Sequence, residues 1–344
     1  MYDKMMTLIA ACLYYSGCVA LGRWWMQRQG PRLMILNYHT ATPGDLRQHW
    51  LYLQHHYRLL HLEDALEELF SPSSHKVQDR RTPLVITFDD GYHDNYTHCF
   101  ALACELQIPI TIFLVPNYIE TGDRFWWLES DYLVTHAKVR EVTIEGQEHH
   151  LNTSEEREVL TRAIDARVRF ASSVHEREAY LKEVRELLRV PYAVTLEEKK
   201  KLPMSWVEIG AMKGCEWISF GGHTMHHPIL THLTDPDEVE YEVCKSRIEL
   251  ECHLESPVRS FAYPVGKFEE QTVRSVQKAG YTWAVTTIKG WNTPQSNPYL
   301  LHRLSVDPWQ HWLLIAVQVS DMRSFFTNLL RISVKFLFCL ARDK

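Results

Sequence analysis

Two adjacent carboxylates stand at the exit of a predicted buried strand. Residues 84–88 are apolar and rich in β-branched side chains, and they end at Asp89 and Asp90 before Gly91 supplies a turn. Buried carboxylates are costly unless a metal, a cation or hydrogen-bond donors match each charge. The pair therefore indicates either a polar turn cap or a site that performs chemistry.

A histidine cluster follows another short apolar strand far downstream. Residues 218–228 pass through a Gly-Gly turn into this cluster, in which His223 and His227 have a spacing of four. On one helical turn that spacing places both imidazoles on the same side. Two imidazoles and one carboxylate form the ligand set of a catalytic divalent metal with open positions. The alternative interpretation is a solvated, histidine-rich loop.

These segments resemble motifs of the polysaccharide deacetylases, carbohydrate esterase family 4, which share the NodB homology domain. Thr-Phe-Asp-Asp-Gly-Tyr, ending at Tyr92, is similar to the first motif, and His-Thr-Met-His-His-Pro, ending at Pro228, to the second. Residues 259–266 are a looser match to the third. The resemblance covers residues 83–307 and implies a distorted (β/α) barrel whose metal site lies at the carboxyl ends of the strands.

The same resemblance implies roles for the polar residues. Asp90, His223 and His227 would hold a divalent metal, Zn²⁺ first, with Co²⁺ or Ni²⁺ as alternatives, and Asp89 would act as the base. Spacing alone does not assign the two aspartates. Contacts to the substrate or its oxyanion are expected from Tyr92, Tyr263, Pro264 and Val265, with the backbone N–H near Val265 at the oxyanion.

The third motif departs from the common family pattern. An arginine that normally orients the base is replaced by Ala262, and Val265 replaces a common tyrosine. Arg303, at the end of the predicted last strand (residues 300–306), is the expected substitute for the arginine. If Arg303 does not orient the base and no histidine serves as the general acid, the protein would bind sugar and metal with little activity.

The predicted first strand, residues 33–39, ends in Tyr38 and His39. A Tyr-His at this place resembles a subgroup that includes biofilm poly-N-acetylglucosamine deacetylases, in which the motif carrying the general acid has moved to the amino terminus. Histidine suits this role because a free imidazole titrates near neutral pH. His39 is therefore the expected catalytic acid, and His302 is the alternative.

Strands and helices alternate along residues 31–310, which predicts parallel βαβ units and an α/β catalytic domain. Residues 124–202 interrupt this alternation with charged, helical periodicity, which predicts a mostly helical insertion over the site. Aromatic residues 125–127 begin the insertion, where they could line a sugar site or pack in a core.

Both termini have a composition that favours a membrane surface. Residues 1–30 contain an uncharged apolar stretch followed by arginines and tryptophans, which predicts an anchor or a signal-like segment. Residues 311–344 are predicted as basic amphipathic helices. The basic flank and unpatterned cysteines favour the cytoplasmic face, with an extracytoplasmic location as the alternative. The terminal helices could instead simply pack on the domain.

The overall composition is that of a globular protein. The chain has 344 residues, of which 45% are hydrophobic and 23% charged, and its net charge of −6 argues against a nucleic-acid partner. We expect a metal-dependent hydrolase that removes N-acetyl groups from an N-acetylated polysaccharide or a lipid-linked sugar. The alternatives are an O-acetyl esterase or other amidase on the same site, and a non-catalytic glycan-binding protein.

Overall fold

A curled sheet of parallel strands forms the centre of the computed structural model, which describes residues 2–42, 44–71, 79–191 and 201–320. Its strands lie in the order β10-β1-β3-β4-β7-β8-β9, and β2 pairs with β3. The two remaining strands, β5 and β6, form a separate antiparallel hairpin. In chain order the strands of the described chain are β1 (Met34–Tyr38), β2 (Arg58–Leu59), β3 (Pro83–Phe88), β4 (Ile110–Leu114), β5 (Glu141–Ile144), β6 (Gln147–His150), β7 (Ile218–Gly222), β8 (Ser260–Ala262), β9 (Trp283–Val285) and β10 (Leu304–Ser305).

Helices connect the parallel strands, as the alternating sequence pattern predicts. A π-helix, Asn95–Phe100, leads directly into α5. In chain order the α-helices of the described chain are α1 (Tyr2–Tyr15), α2 (Cys18–Gln27), α3 (Leu46–His56), α4 (Leu62–Phe70), α5 (Ala101–Leu106), α6 (Pro116–Thr121), α7 (Trp126–Thr135), α8 (Ser154–Arg169), α9 (Val174–Leu187), α10 (Trp206–Met212), α11 (Pro236–Leu254), α12 (Glu270–Lys278) and α13 (Trp312–Val319).

The strands are apolar on both faces because each face of the sheet is covered. Leu36 and Ile86 are paired neighbours that belong to the large core cluster, which also includes residues of the surrounding helices. Ile35 and Val85 are likewise paired, and they share a second cluster with apolar residues of α4 such as Leu66. Burial on both faces is typical of parallel sheets and explains the continuous apolar runs in the sequence.

The sheet curls into a half-barrel, which confirms the prediction of a distorted (β/α) barrel. Its two ends approach each other where the N–H of Thr286 donates to the carbonyl of Leu301 at 2.8 Å. The last strand is shorter than predicted, because its continuous part is Leu304–Ser305, and Leu301 forms only an isolated bridge with Val285. Arg303 consequently lies immediately before β10 instead of at its end, which corrects the predicted position.

The insertion contains a β-hairpin as well as helices, so the prediction of a mostly helical segment missed one element. Val142 and Ile144 of β5 are buried in the core of the insertion, whereas β6 is polar and gives no apolar pattern. Glu145 and Gly146 both have positive φ at the turn, 47° and 79°. Two-residue hairpin turns with positive φ at both positions usually contain Asn-Gly or Asp-Gly, so the sequence Glu-Gly did not indicate a hairpin.

The amino-terminal helices pack on the domain with part of their surface. Tyr14 of α1 meets Trp312 of α13 edge-on with ring centroids 5.1 Å apart, and Val19 and Met26 of α2 are buried. The opposite surface exposes six large apolar side chains: Met5, Leu8, Ile9, Tyr15, Leu21 and Trp24.

Within the described part of the chain, no single helix has the length and hydropathy needed to cross a membrane. Lys4–Tyr15 and Cys18–Gln27 meet that criterion only as a pair, and the pair is bent by 66°. The predicted basic carboxyl-terminal helices fall within residues 311–344, of which residues 321–344 lie outside the described residues. The rest of that segment includes α13, which packs against α1 and α3.

Candidate metal centre and active site

The predicted site residues come together at the carboxyl ends of neighbouring strands. The N–H of Asp89, just after β3, donates to the carbonyl of Tyr38 at the end of β1 at 2.9 Å. The N–H of His223, just after β7, donates to Leu114 at the end of β4, also at 2.9 Å. Parallel pairing therefore places the aspartates and the histidine cluster at one edge of the sheet.

Tight, strained turns allow these side chains to face one another. Asp90 has a φ of 72°, Thr224 of 64° and His227 of 53°, all in the left-handed region that non-glycine residues rarely adopt. Gly91 also has positive φ, and a Cβ there would lie 2.8 Å from the Leu114 side chain, so glycine is needed at this turn. Strain of this kind is often concentrated at functional sites.

Three ligand atoms converge in this buried region. The Nε2 atoms of His223 and His227 lie 3.2 Å apart, and each is 3.5 Å from Oδ1 of Asp90. All three residues are buried, with His227 only 5% exposed. The structure therefore brings together the carboxylate and both imidazoles proposed as ligands.

The donor set fits a divalent cation. Nδ1 of His223 donates to the carbonyl of Ala262 at 2.7 Å, so Nε2 of a neutral ring faces His227 as a lone pair. Ligand atoms on a tetrahedral zinc, with bonds of about 2.1 Å, are separated by roughly 3.4 Å, close to the observed spacing. A cation between the three atoms would satisfy lone pairs that otherwise oppose one another.

Asp89 is held by a buried arginine. Arg303 donates from Nη1 and Nη2 to the two carboxylate oxygens of Asp89 at 2.7 and 2.8 Å, and its Nε donates to the carbonyl of Thr286 at 2.8 Å. Arg303 is 0% exposed, and Nη1 also donates to the hydroxyl of Thr87 at 3.2 Å. This bidentate pair fixes the orientation of the Asp89 carboxylate.

Opposing effects of burial and charge set the ionisation of these groups. Burial raises the pKa of Asp89, but the charge of Arg303 outweighs it and holds this pKa at about 2. Burial lowers the pKa of His227 well below its usual value. For His223, burial acts in the same direction, but without a cation in the site a hydrogen bond from Nε2–H to Asp90 overcomes it and raises the pKa; a cation would take the place of that proton. Asp89 is therefore a carboxylate at neutral pH, and His227 is a neutral imidazole suited to ligate a metal.

His39 lies beside this centre and is exposed. Its position is fixed by Asn95, whose side-chain amide donates to the His39 carbonyl at 3.0 Å. His39 directly follows Tyr38, whose carbonyl accepts the N–H of Asp89 at 2.9 Å, so the two residues leave neighbouring strands at the same edge of the sheet. The ring of His302, the alternative acid, packs against Gly290 on the loop after β9, where a Cβ would come within 2.4 Å of its Nδ1.

The residues predicted to contact substrate lie in different environments. Tyr263 is 0% exposed and its hydroxyl donates to the carbonyl of Tyr299 at 3.2 Å, so its side chain packs in the core, and its contact with substrate stays a prediction. Pro264 is also buried, whereas Val265 is exposed and has a φ of 50°, which is unusual for a β-branched residue. Tyr92 is buried and accepts a hydrogen bond from Trp127 at 2.8 Å.

The insertion contacts the turn that carries the two histidines. Nε1 of Trp126 donates to the carbonyl of His227 at 2.8 Å, and Arg177 of α9 donates to the carbonyl of His226 at 3.1 Å. The ring of Trp127 lies 4.3 Å from the ring of His227. Trp126 belongs to the aromatic cluster seen in the sequence, but nothing local in the sequence indicates Arg177.

Glu242 of α11 holds the same turn from the opposite side. One of its oxygens accepts the N–H groups of Met225 and His226 at 3.0 and 2.8 Å, and the other lies 2.6 Å from Nδ1 of His226. Glu242 is 1% exposed and lies among buried residues of α11 such as Val243. A charged residue on the apolar face of a helix is unusual and can be recognised in a sequence, but our sequence analysis did not single out Glu242.

Comparison with known proteins assigns the class of this site. The family model described as polysaccharide deacetylase matches residues 76–284, more than half of the chain. The chain is 23% identical over 307 residues to YxkH of Bacillus subtilis (strain 168), which is named as a candidate polysaccharide deacetylase. That alignment covers 87% of this chain and 80% of YxkH.

Solved deacetylase structures share the fold. A Streptococcus pyogenes deacetylase, PplD, in complex with acetate, has a TM-score of 0.55 at 15% identity and covers 84% of this chain and 99% of its own. IcaB from Ammonifex degensii has a TM-score of 0.55 at 18% identity and covers 85% and 98%. The chain belongs to the polysaccharide deacetylase family and is a hydrolase of that class.

Proposed function

We propose that this protein is a metal-dependent N-deacetylase of an N-acetylated glycan. The observation that carries the proposal is the buried pair between Arg303 and Asp89 next to the convergent donors Asp90, His223 and His227. This arrangement combines an oriented, ionised carboxylate with a site for a cation. An oriented, ionised carboxylate beside a cation site can accept a proton from water, which favours hydrolysis over sugar binding alone.

Each polar group has a role in hydrolysis of the acetamide. Water attacks the acetyl carbonyl carbon while Asp89 accepts a proton from it, and the backbone N–H of Val265 donates to the developing oxyanion. His39 gives a proton to the amine nitrogen as the carbon–nitrogen bond breaks, which leaves acetate and a free amine. Arg303 keeps the Asp89 carboxylate ionised and fixes its orientation.

Asp90, His223 and His227 would hold the cation, for which the mixed nitrogen and oxygen donors favour Zn²⁺, with Co²⁺ or Ni²⁺ as alternatives. When bound, such a cation supplies Lewis-acid chemistry that polarises a carbonyl and makes water more acidic. The second candidate function is removal of O-acetyl groups, because the same residues suit an ester and only the leaving group differs.

The test is release of acetate from a panel of N-acetyl and O-acetyl sugars, with and without chelator. We expect N-acetyl substrates to be cleaved, chelator to abolish the activity and divalent metal to restore it. Preference for O-acetyl sugars would support the second candidate, and the absence of release from the whole panel would refute both. His39→Ala should lose activity on amides, whereas His302→Ala should retain it; the reverse result would make His302 the acid.

We also propose that the protein works at a membrane surface on a lipid-linked or membrane-proximal glycan. The support is the apolar surface of α1 and α2 (Met5, Leu8, Ile9, Tyr15, Leu21 and Trp24), together with Arg28, whose guanidinium lies 3.9 Å from the centre of the Trp24 ring. Exposed apolar side chains beside basic and aromatic residues favour a position in the lipid interface. The cytoplasmic face is our preference, with an extracytoplasmic location as the alternative.

Cell fractionation of the full chain and of a chain lacking residues 1–30 tests this second proposal. The full chain should sediment with membranes at low salt, and the shortened chain should do so less. A full-length protein found wholly in the soluble fraction would refute membrane association. A processed amino terminus would identify a signal peptide and place the enzyme outside the cytoplasm.

A further inference from the structure

Two cysteines that lie 111 residues apart in the sequence have their sulfur atoms in contact. Sγ of Cys104 is 3.2 Å from Sγ of Cys215, and both are free thiols. A disulfide bond measures about 2.05 Å, so a shift of roughly 1 Å between the two sulfurs would bring them to bonding distance. Both side chains are partly exposed, so a small oxidant can reach them. Their separation along the chain explains why no pattern in the sequence indicates the pair.

The chain around this pair is held by backbone hydrogen bonds. Cys104 lies in α5, which leads into β4. Cys215 lies between α10 and β7, and its N–H donates to the carbonyl of Met212 at 3.0 Å. The N–H of Ile110, the first residue of β4, donates at 2.9 Å to the carbonyl of Trp217, which directly precedes β7. These bonds fix the two connections against each other, so the short distance between the sulfurs is a property of the fold.

The pair lies at the amino-terminal edge of the sheet, opposite the metal centre. Strands β4 and β7 are paired from Ile110 with Ile218 to Leu114 with Gly222, and His223 follows the far end of β7. A strand of this length spans on the order of 15 Å. A bond between the two sulfurs would therefore join the two connections without entering the metal centre.

We propose that Cys104 and Cys215 are an intramolecular disulfide site, which closes in oxidising surroundings and stabilises the fold. The oxidant is a low-molecular-weight disulfide such as oxidised glutathione. One protein thiolate attacks a glutathione sulfur, which forms a mixed disulfide and releases one glutathione thiolate. The second protein thiolate attacks the protein sulfur of the mixed disulfide and releases the other glutathione. The protein thiols lose two protons and two electrons, and the glutathione disulfide is reduced to two thiols.

The surroundings of the pair favour a structural bond over a fast redox sensor. Burial, followed by the hydrogen bond with Cys215, raises the pKa of the Cys104 thiol to about 11. Little of this thiol is therefore ionised at neutral pH, although the thiolate is the reactive form. The bond would close a long loop, and a cross-link across a long loop restricts the unfolded chain strongly. Because cytosolic proteins keep their thiols reduced, the bond would also distinguish the two locations considered for this enzyme.

Oxidation of the purified full chain tests the site. The protein is reduced, freed of reductant and incubated with oxidised glutathione at about pH 8.5, near the pKa of an ordinary thiol. We expect a cross-linked peptide that contains Cys104 and Cys215 and has lost two hydrogen atoms. The Tm should rise by roughly 5–10 °C over that of the reduced protein. Cys104→Ser and Cys215→Ser should show neither change. Cys252→Ser, at an exposed position on α11, is the matched control and should behave like the wild type.

Two results would overturn the proposal. One is a mixed disulfide with glutathione at either cysteine that does not go on to the cross-link. The other is a cross-linked protein whose Tm equals that of the reduced protein, because the bond would then not stabilise the fold. If the serine variants fail to fold, dithiothreitol added to the oxidised wild type should remove the cross-linked peptide and the rise in Tm together. None of these measurements uses an activity assay, so failure of the proposed deacetylase function would leave them unaffected.

Discussion

The guanidinium of Arg303 and the carboxylate of Asp89 form a bidentate ion pair, although 214 residues separate them in the sequence. Both residues are buried, and their two hydrogen bonds measure 2.7 and 2.8 Å. The third motif has Ala262, which carries no charge, where the common family pattern has an arginine, and Arg303 supplies a cation to Asp89. The chain therefore keeps an arginine beside Asp89 but brings it from a different segment.

We predict that Arg303→Lys will lower kcat/KM on an N-acetylated sugar by about 10²-fold or more, with metal content preserved. Lysine keeps the charge, but a single ammonium cannot reproduce the planar two-point contact. Arg303→Ala should also destabilise the fold by about 3–5 kcal/mol, because Asp89 would remain buried without a partner. The measurements are steady-state kinetics, metal analysis and urea unfolding. Wild-type kinetics in Arg303→Lys would show that the bidentate geometry is not needed.

A second prediction separates the two neighbouring aspartates. Asp89→Asn should retain metal and lose roughly 10²–10⁴-fold in kcat, because an amide cannot accept the proton. Asp90→Asn should lose metal affinity, because a charged ligand is replaced by a neutral one. Metal content and activity of both purified variants decide the question. Metal loss in Asp89→Asn, with retention in Asp90→Asn, would reverse the two roles.

Much of the site could be predicted because its residues follow strands. Asp89 and Asp90 end a run of apolar residues, and His223 follows another, so parallel pairing had to bring them to one edge. Arg303 could be proposed only because the family pattern required an arginine and Ala262 does not provide one.

Other features depend on contacts between distant segments and leave no local pattern. Arg177 lies in an ordinary charged amphipathic helix, and its bond to the His226 carbonyl depends on how the insertion packs. Tyr263 follows a short strand, so its complete burial could not be distinguished from exposure to a substrate. The hairpin in the insertion was missed because β6 has a polar sequence. In each case tertiary packing determined the outcome.

A third prediction concerns the insertion, whose residues hold the histidine turn in place although none of them is a proposed metal ligand. Arg177→Met and Trp126→Phe each remove a donor to the carbonyl of a residue in the histidine turn. Because that turn contains a strained His227, loss of either bond should let the imidazole move. We expect the dissociation constant for Zn²⁺ to rise roughly 10–100-fold, as when supporting groups around metal sites are removed.

Metal titration monitored by a competing chelator measures this effect without any activity assay. Arg162→Met is the matched control, because the side chain of Arg162 is 69% exposed and lies on α8. It should bind Zn²⁺ like the wild type. Unchanged affinity in both Arg177→Met and Trp126→Phe would mean that the turn holds its shape without the insertion, for instance through Glu242 alone.

The last prediction concerns His49, which is buried between β1 and the turn formed by residues 307–310. Burial lowers the pKa of His49 below its ordinary value of 6.5, and the neutral ring donates to the Gln310 carbonyl. Below about pH 6.5 the unfolded chain takes up a proton at this position before the folded protein does, so stability falls with falling pH. His49→Gln keeps an N–H donor but cannot titrate, and should therefore lose less stability than the wild type between about pH 7.5 and about pH 5.5.

Urea unfolding at both pH values measures this difference, with His175→Gln, an exposed position on α9, as the control. An equal loss in His49→Gln and the wild type would show that protonation of His49 does not limit the fold. A smaller loss of stability in His49→Gln would identify His49 as an acid-sensitive contact between β1 and the turn of residues 307–310.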